Sequence, residues 1–121
     1  MSETANRLPD YFRHIIEAID RIDRYTEDMD ELAFLDDELV QDAVVRNLEI
    51  IGEASRNIGK RYPEFEEQHP DLPLVIAYEM RNALAHGYFK VDTGVVWRTI
   101  ESDLPAFREQ VIVALNQLNH E

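Results

Sequence analysis

Residues 38–60, ELVQDAVVRNLEIIGEASRNIGK, decide the fold class. Leu39, Ala43, Val44, Leu48, Ile51, Ala54 and Ile58 recur three or four positions apart, the period of one face of an α-helix. No strand-like alternation persists in this stretch or elsewhere in the chain. A helix is expected from just after Asp36 or Asp37 to about Lys60, ending before Pro63. Gly52 in its middle costs about 1 kcal/mol relative to alanine, and tight packing against another helix is the physical reason to keep it.

Working outward, the preceding segment repeats the pattern. Leu8, Phe12, Ile15, Ile19, Ile22 and Tyr25 give one apolar stripe over a helix of about 8–25, with Asn6 as a candidate cap and Pro9 tolerated in the first turn. A short acidic turn at about 29–35 joins the two. Downstream, 63–73 reads as a loop rich in proline and acid. A third long helix is expected over about 73–85, with Asp71 as its cap and Gly87 just past its end. Asp92 caps a last helical stretch to about Asn119, along which Val96, Ile100, Leu104, Phe107, Val111, Leu115 and Leu118 form one seam. Pro105 removes a backbone donor and should kink or split that helix near Glu101–Ser102. The expectation is one domain over 1–121: an all-α, up-down bundle of four to five helices, the last kinked near Pro105.

Bulk properties narrow the function. A 121-residue chain can bury about two-thirds of its unfolded surface. With no cysteine, disulfides and thiolate metal sites are excluded. No apolar run approaches the ~20 residues of a membrane span, and the first residues lack a signal-peptide profile, so a cytoplasmic protein is expected. The net charge of −13 argues against a broad basic face for nucleic acid. Between Arg24 and Arg46 stand Glu27, Asp28, Asp30, Glu31, Asp36, Asp37, Glu38 and Asp42, without one lysine or arginine. A second acidic group is Glu64, Glu66, Glu67 and Asp71. Such runs serve either as a solvated face or as a docking surface for a basic partner.

The chemistry-bearing stretch is Arg-Asn-Ala-Leu-Ala-His-Gly-Tyr at 81–88. Arg81 supplies a permanent cation for a phosphate, and His86 an acid/base near neutrality. In a regular helix Arg81 and His86 would point about 140° apart, so they converge only if the helix ends near His86, where Gly87 offers a stop. A histidine there also meets the negative end of the helix dipole, which favours its charged form. Each residue has a plain structural alternative as well. Arg81 can pair with an acid of a neighbouring helix, and His86 can be a helix-end cation only. Tyr88 and Phe89 can be core aromatics, and Asn82 can bind a loop carbonyl instead of orienting His86. Arg56, Lys60 and Arg61 form a small basic patch that either complements a helix dipole or touches an RNA backbone. His14, His69 and His120 are isolated and read as surface residues. There is no Gly-rich phosphate loop, no His-Glu-x-x-His and no cluster with metal-ligand spacing.

Three segments in order, DAVVRNLEIIGEA at 42–54, MRNALAHGYFKVD at 80–92 and VWRTIESDLP at 96–105, resemble the HepT-like toxins, a branch of the HEPN helical domains. The likeness covers about residues 8–112, and the family signature Arg-x4-His-x-Tyr falls on Arg81, His86 and Tyr88, with the frequent polar neighbour at Asn82. The resemblance implies a metal-independent endoribonuclease, the toxin of a type VII-like toxin–antitoxin pair, with Arg81 and His86 catalytic. It implies no cofactor. The implied partner is a minimal nucleotidyltransferase antitoxin that transfers AMP from ATP onto Tyr88. One chain offers one suitable histidine, so a homodimer with a composite site is expected. Two other classes remain open: a non-catalytic, nucleotide- or substrate-binding helical subunit of a nucleotidyltransferase complex, and a dimerisation module without site chemistry.

Overall fold

The apolar stripe of the first helix sets the architecture. In the computed structural model, which describes residues 7–72, 74 and 92–119, helix α1 (Leu8–Thr26) buries Leu8, Tyr11, Phe12, Ile15, Ala18, Ile19, Ile22 and Thr26. It packs along helix α3 (Glu38–Arg61) and against helix α6 (Leu104–Asn119). From α3 come Val44, Leu48, Ile51, Ala54 and Ile58, and from α6 come Leu104, Phe107, Val111 and Ala114. Each of the fully buried isoleucines and phenylalanines contributes about 1.5–3 kcal/mol relative to exposure. Gly52 is buried on α3, as expected of a close-packed position. Every element among the described residues is helical, and the bundle is all-α as its sequence predicts.

Two expectations at the ends of the stripes are corrected. Leu39 is 80% exposed and Tyr25 39% exposed, because both lie at helix ends where the paired helix no longer covers them. Tyr11 and Ala18, off the expected stripe of α1, are buried as well. Leu115 and Leu118 are only partly buried and pack against the core from its margin.

Two short helices replace expected turns. Helix α2 (Glu31–Leu35) starts where the Asp30 side chain accepts from the Ala33 N–H at 2.9 Å. Helix α4 (Pro63–Gln68) occupies the stretch read as a loop. Its proline sits in the first turn, where the missing N–H has no helical partner to lose. Aromatic pairs hold both: Phe34 of α2 lies 5.3 Å from Trp97, and Phe65 of α4 lies 5.3 Å from Phe12 of α1. Phe65 also stacks on His69 at 4.0 Å, and the His69 Nδ1–H donates to the Phe65 carbonyl at 2.9 Å. His69 is therefore a packed residue and not a bare surface one. The Asn6 cap and, apart from Leu74, the expected 73–85 helix with its Gly87 stop lie outside the described residues.

Side-chain caps fall where the sequence puts them. Asp37 accepts from the Val40 N–H and opens α3. Asp92 Oδ1 accepts from both the Gly94 and Val95 N–H groups, at 3.0 and 3.2 Å, and opens helix α5 (Thr93–Arg98). Ahead of Pro105 the α register breaks as expected. Residues Thr99–Asp103 form a π segment in which the Leu104 N–H reaches back five residues to the Thr99 carbonyl. The Thr99 hydroxyl donates to the Val95 carbonyl at 3.0 Å, bonding back to its own helix at the same place.

One ion pair ties α6 to α1. Arg108 donates from Nε to Asp20 Oδ1 at 2.8 Å and from Nη2 to Asp20 Oδ2 at 3.3 Å. Both side chains are about one-third exposed, so the pair is worth about 1 kcal/mol or less. Burial and the neighbouring Asp20 carboxylate push the Asp23 carboxyl above its ordinary range, while Arg108 opposes the shift.

Substitutions at two positions test this account. Trp97→Ala should cost about 3–5 kcal/mol in urea unfolding followed by circular dichroism, and Trp97→Phe well under half of that. Asp92→Ala should lose about 1 kcal/mol with the cap, whereas Asp92→Asn, which can still accept both N–H groups, should lose a few tenths.

Candidate functional site

The frame around the 81–88 motif is built from both sides. On the entry side Leu72 and Leu74 are buried, and the Leu74 N–H donates to the Leu72 carbonyl at 2.8 Å. The side-chain amide of Gln110 on α6 donates to the Asp71 carbonyl at 2.9 Å, which fixes this point against the last helix. On the exit side Asp92 is committed to capping α5. Four residues further on, Val96 and then Trp97 enter the core. The chain carrying the motif therefore leaves from one anchored point and returns to another. Arg81, Asn82, His86 and Tyr88 themselves lie outside the described residues.

The second candidate group is described. Arg56, Lys60 and Arg61 are exposed on the last turns of α3, where a cation meets the negative end of the helix dipole. Arg61 lines a hollow of about 430 Å³ with Tyr62, Pro63, Glu64, Phe65 and Gln68. The Tyr62 hydroxyl accepts from the Arg7 N–H at 2.8 Å, holding the start of α1 to the end of α3. Glu64, Glu66 and Glu67 follow at once on α4, and a side chain at Gly59 would meet the Glu66 carboxylate at 3.1 Å. The basic patch is thus bordered by acid. Its potential toward a polyanion is correspondingly reduced.

A further polar hollow was not foreseen from sequence. Tyr11 and His14 of α1 and Arg46, Glu49, Ile50, Glu53, Ala54 and Asn57 of α3 line a space of about 410 Å³. The rings of Tyr11 and His14 meet edge-on at 6.5 Å. Positions 46, 49, 53 and 57 follow helical spacing, so their polar character on one face of α3 was the available signal. The Oε2 atom of Glu53 is buried there. What no reading of α3 alone supplies is that α1 sets His14 across from this row. Among the described residues no group of three histidines, aspartates or glutamates is placed to hold a metal ion. Nor is any described helix long and apolar enough to cross a membrane.

Comparison with known proteins sets these elements in a family. The model of the family described as "Ribonuclease HepT-like" matches residues 15–114, a span that includes the whole 81–88 motif and most of the described core. A protein of Thermococcus cleftensis named "Probable ribonuclease HepT" is 42% identical over 99 residues, covering 82% of this chain and 87% of that protein. A Methanocaldococcus jannaschii protein named "Gamma-glutamylcyclotransferase and putative RNase" is 38% identical over 109 residues, or 90% of this chain. This chain spans about half of that relative, 48% of its length. No solved structure matches the chain. With the family match running from α1 to α6 and across the motif between them, the chain belongs to the HepT-like ribonuclease family.

Proposed function

We propose that this chain is a metal-independent endoribonuclease acting as the toxin of a toxin–antitoxin pair, with Arg81 and His86 as its catalytic residues. The observation that carries the proposal is the Arg-x4-His-x-Tyr pattern at 81–88, within a chain whose family match spans that motif. The residue types fit cleavage by the RNA 2′-hydroxyl. That oxygen loses a proton to a base and attacks phosphorus, the bond to the 5′-oxygen breaks, and an acid protonates the leaving oxygen. Arg81 stabilises the charge that builds on the phosphoryl oxygens.

Base and acid are two roles, and one chain brings one histidine of this motif. A two-fold homodimer that brings both 81–88 segments together supplies two histidines and two arginines, which completes the set. Asn82 is assigned to orienting His86. Arg56, Lys60 and Arg61 are assigned to the RNA backbone, a contact that moderate salt should weaken because acid borders the patch.

Tyr88 is the regulatory position. A nucleotidyltransferase antitoxin would transfer AMP from ATP to the Tyr88 oxygen, with pyrophosphate leaving. The new phosphodiester places negative charge beside Arg81 and excludes the RNA phosphate by repulsion and by bulk. Neither step asks for a cofactor bound to this chain.

The test is cleavage of a labelled RNA in EDTA by protein purified without an antitoxin and checked by mass. Wild type should cut. His86→Ala should not, while unfolding at the same urea concentration. Arg81→Ala should lose about 10²–10³ in rate. Tyr88→Phe should keep cleavage and lose AMP acceptance. Absence of cleavage by unmodified wild type, together with ATP binding lost in Arg81→Ala, would instead establish the nucleotide-binding subunit.

A further inference from the structure

The acidic run between Arg24 and Arg46 divides into residues with a structural task and residues without one. Asp30 and Asp37 cap α2 and α3, and Glu31 and Glu38 stand in the first turns of those helices, where the dipole favours them. Glu27, Asp28, Asp36 and Asp42 have no such place, and all four are exposed. Among the described residues no ion pair engages any of the eight.

The same stretch carries the two most exposed large apolar side chains among the described residues. Leu32 is 77% exposed and Leu39 80%, with Leu35 between them at 40%. A single exposed leucine needs no explanation, but three within eight residues, on two consecutive helices, do. They are not loose chain. Phe34, in the midst of them, is fully buried against Trp97. The Gln41 side-chain amide donates to the Phe34 and Leu35 carbonyls at 2.9 and 3.0 Å, which locks the corner between α2 and α3. The frame is rigid, and it holds the leucines outward.

Charge selects what can cover them. RNA is a polyanion and is repelled. A second copy meeting this face through a two-fold axis would set eight carboxylates against eight. A basic protein segment meets neither obstacle. We infer that the corner formed by α2 and the start of α3 is a docking site for a basic amphipathic helix of another protein. The helix seats its apolar face on Leu32, Leu35 and Leu39 and its lysines or arginines on Glu27, Asp28, Asp36 and Asp42. The inference does not rest on the nuclease reading, since it uses no residue of the 81–88 motif.

The test uses the full chain and a fluorescent helical peptide of about four turns, built from leucine and lysine with the leucines on one face. A scrambled peptide of equal composition is the control. By anisotropy, wild type should bind the amphipathic peptide at least about tenfold more tightly than the scrambled one. Leu32→Ser/Leu39→Ser should lose about tenfold, with its thermal midpoint unchanged because both side chains are exposed. Glu27→Gln/Asp28→Asn/Asp36→Asn/Asp42→Asn should lose as much and lose the salt dependence of binding. Amide shifts on binding should centre on 27–42. Four results would overturn the proposal: no binding by wild type; equal binding of both peptides; undiminished binding by the serine variant, which would mean charge alone; or a wild-type dimer that the serine variant dissolves, which would make a second copy the occupant.

Discussion

The constraint on which this structure depends is the burial of α1. Phe12, Ile15, Ala18, Ile19 and Ile22 are at or within 1% of complete burial, on the helix that packs against both long partners. A helix of this length has little stability alone in water, so its order comes from the packing of that stripe. Against it lie α3 and α6, and through Phe12 also α4. The Asp20–Arg108 pair adds direction more than energy, since two part-exposed side chains with bidentate geometry favour one register of α6 along α1. With α6 in register, Gln110 reaches the Asp71 carbonyl, and the entry to the 81–88 segment is set. Packing at one end of the chain thus fixes an anchor point for a motif some seventy residues away.

How much of this was legible in the sequence follows from which interactions are local. The caps Asp37 and Asp92 are readable because a cap is made by a side chain and backbone groups two or three residues on. The stripes of α1 and α3 are readable in their middles and misread at their ends. Leu39 and Tyr25 keep the helical period, yet exposure depends on where a different helix stops. Trp97 escaped because its contact is with Phe34, on a segment that reads as an acidic turn. A five-residue helix leaves no periodicity to find, and only its tertiary partner stabilises it. Pro63 misleads in the same way: the residue that ends α3 also starts α4.

The candidate site divides along the same line. Arg-x4-His-x-Tyr is legible because residue types and spacing carry its chemistry. The hollow between α1 and α3 is not, since Tyr11 and His14 meet Arg46, Glu53 and Asn57 only after two helices pair. The break at Thr99–Asp103 lies between these cases. Pro105 predicts that the α register must fail near that place, but not that the chain answers with a π segment in place of a sharp bend. The difference is settled by packing, because Ile100 and Leu104 are both buried across the break and a sharper bend would withdraw one of them from the core.

An acidic protein proposed to act on RNA poses an electrostatic question, and the distribution of its charge bears on it. At physiological salt the field of an exposed carboxylate fades over about 8 Å. The formal charge of −13 therefore opposes RNA only where the acids stand. Eight of them lie in the 27–42 stretch around α2, and three more lie on α4 beside Arg61. From Lys60 and Arg61 the field toward a phosphate is consequently weak. The 80–91 stretch, by contrast, holds Arg81 and Lys90 and no acid. That stretch carries cations with no acid between them in sequence, and it is the part that carries the family motif. The regulation proposed at Tyr88 would need such a setting. One added negative charge changes little on a surface already rich in carboxylates, but halves the net charge where two cations stand without a counter-charge in sequence.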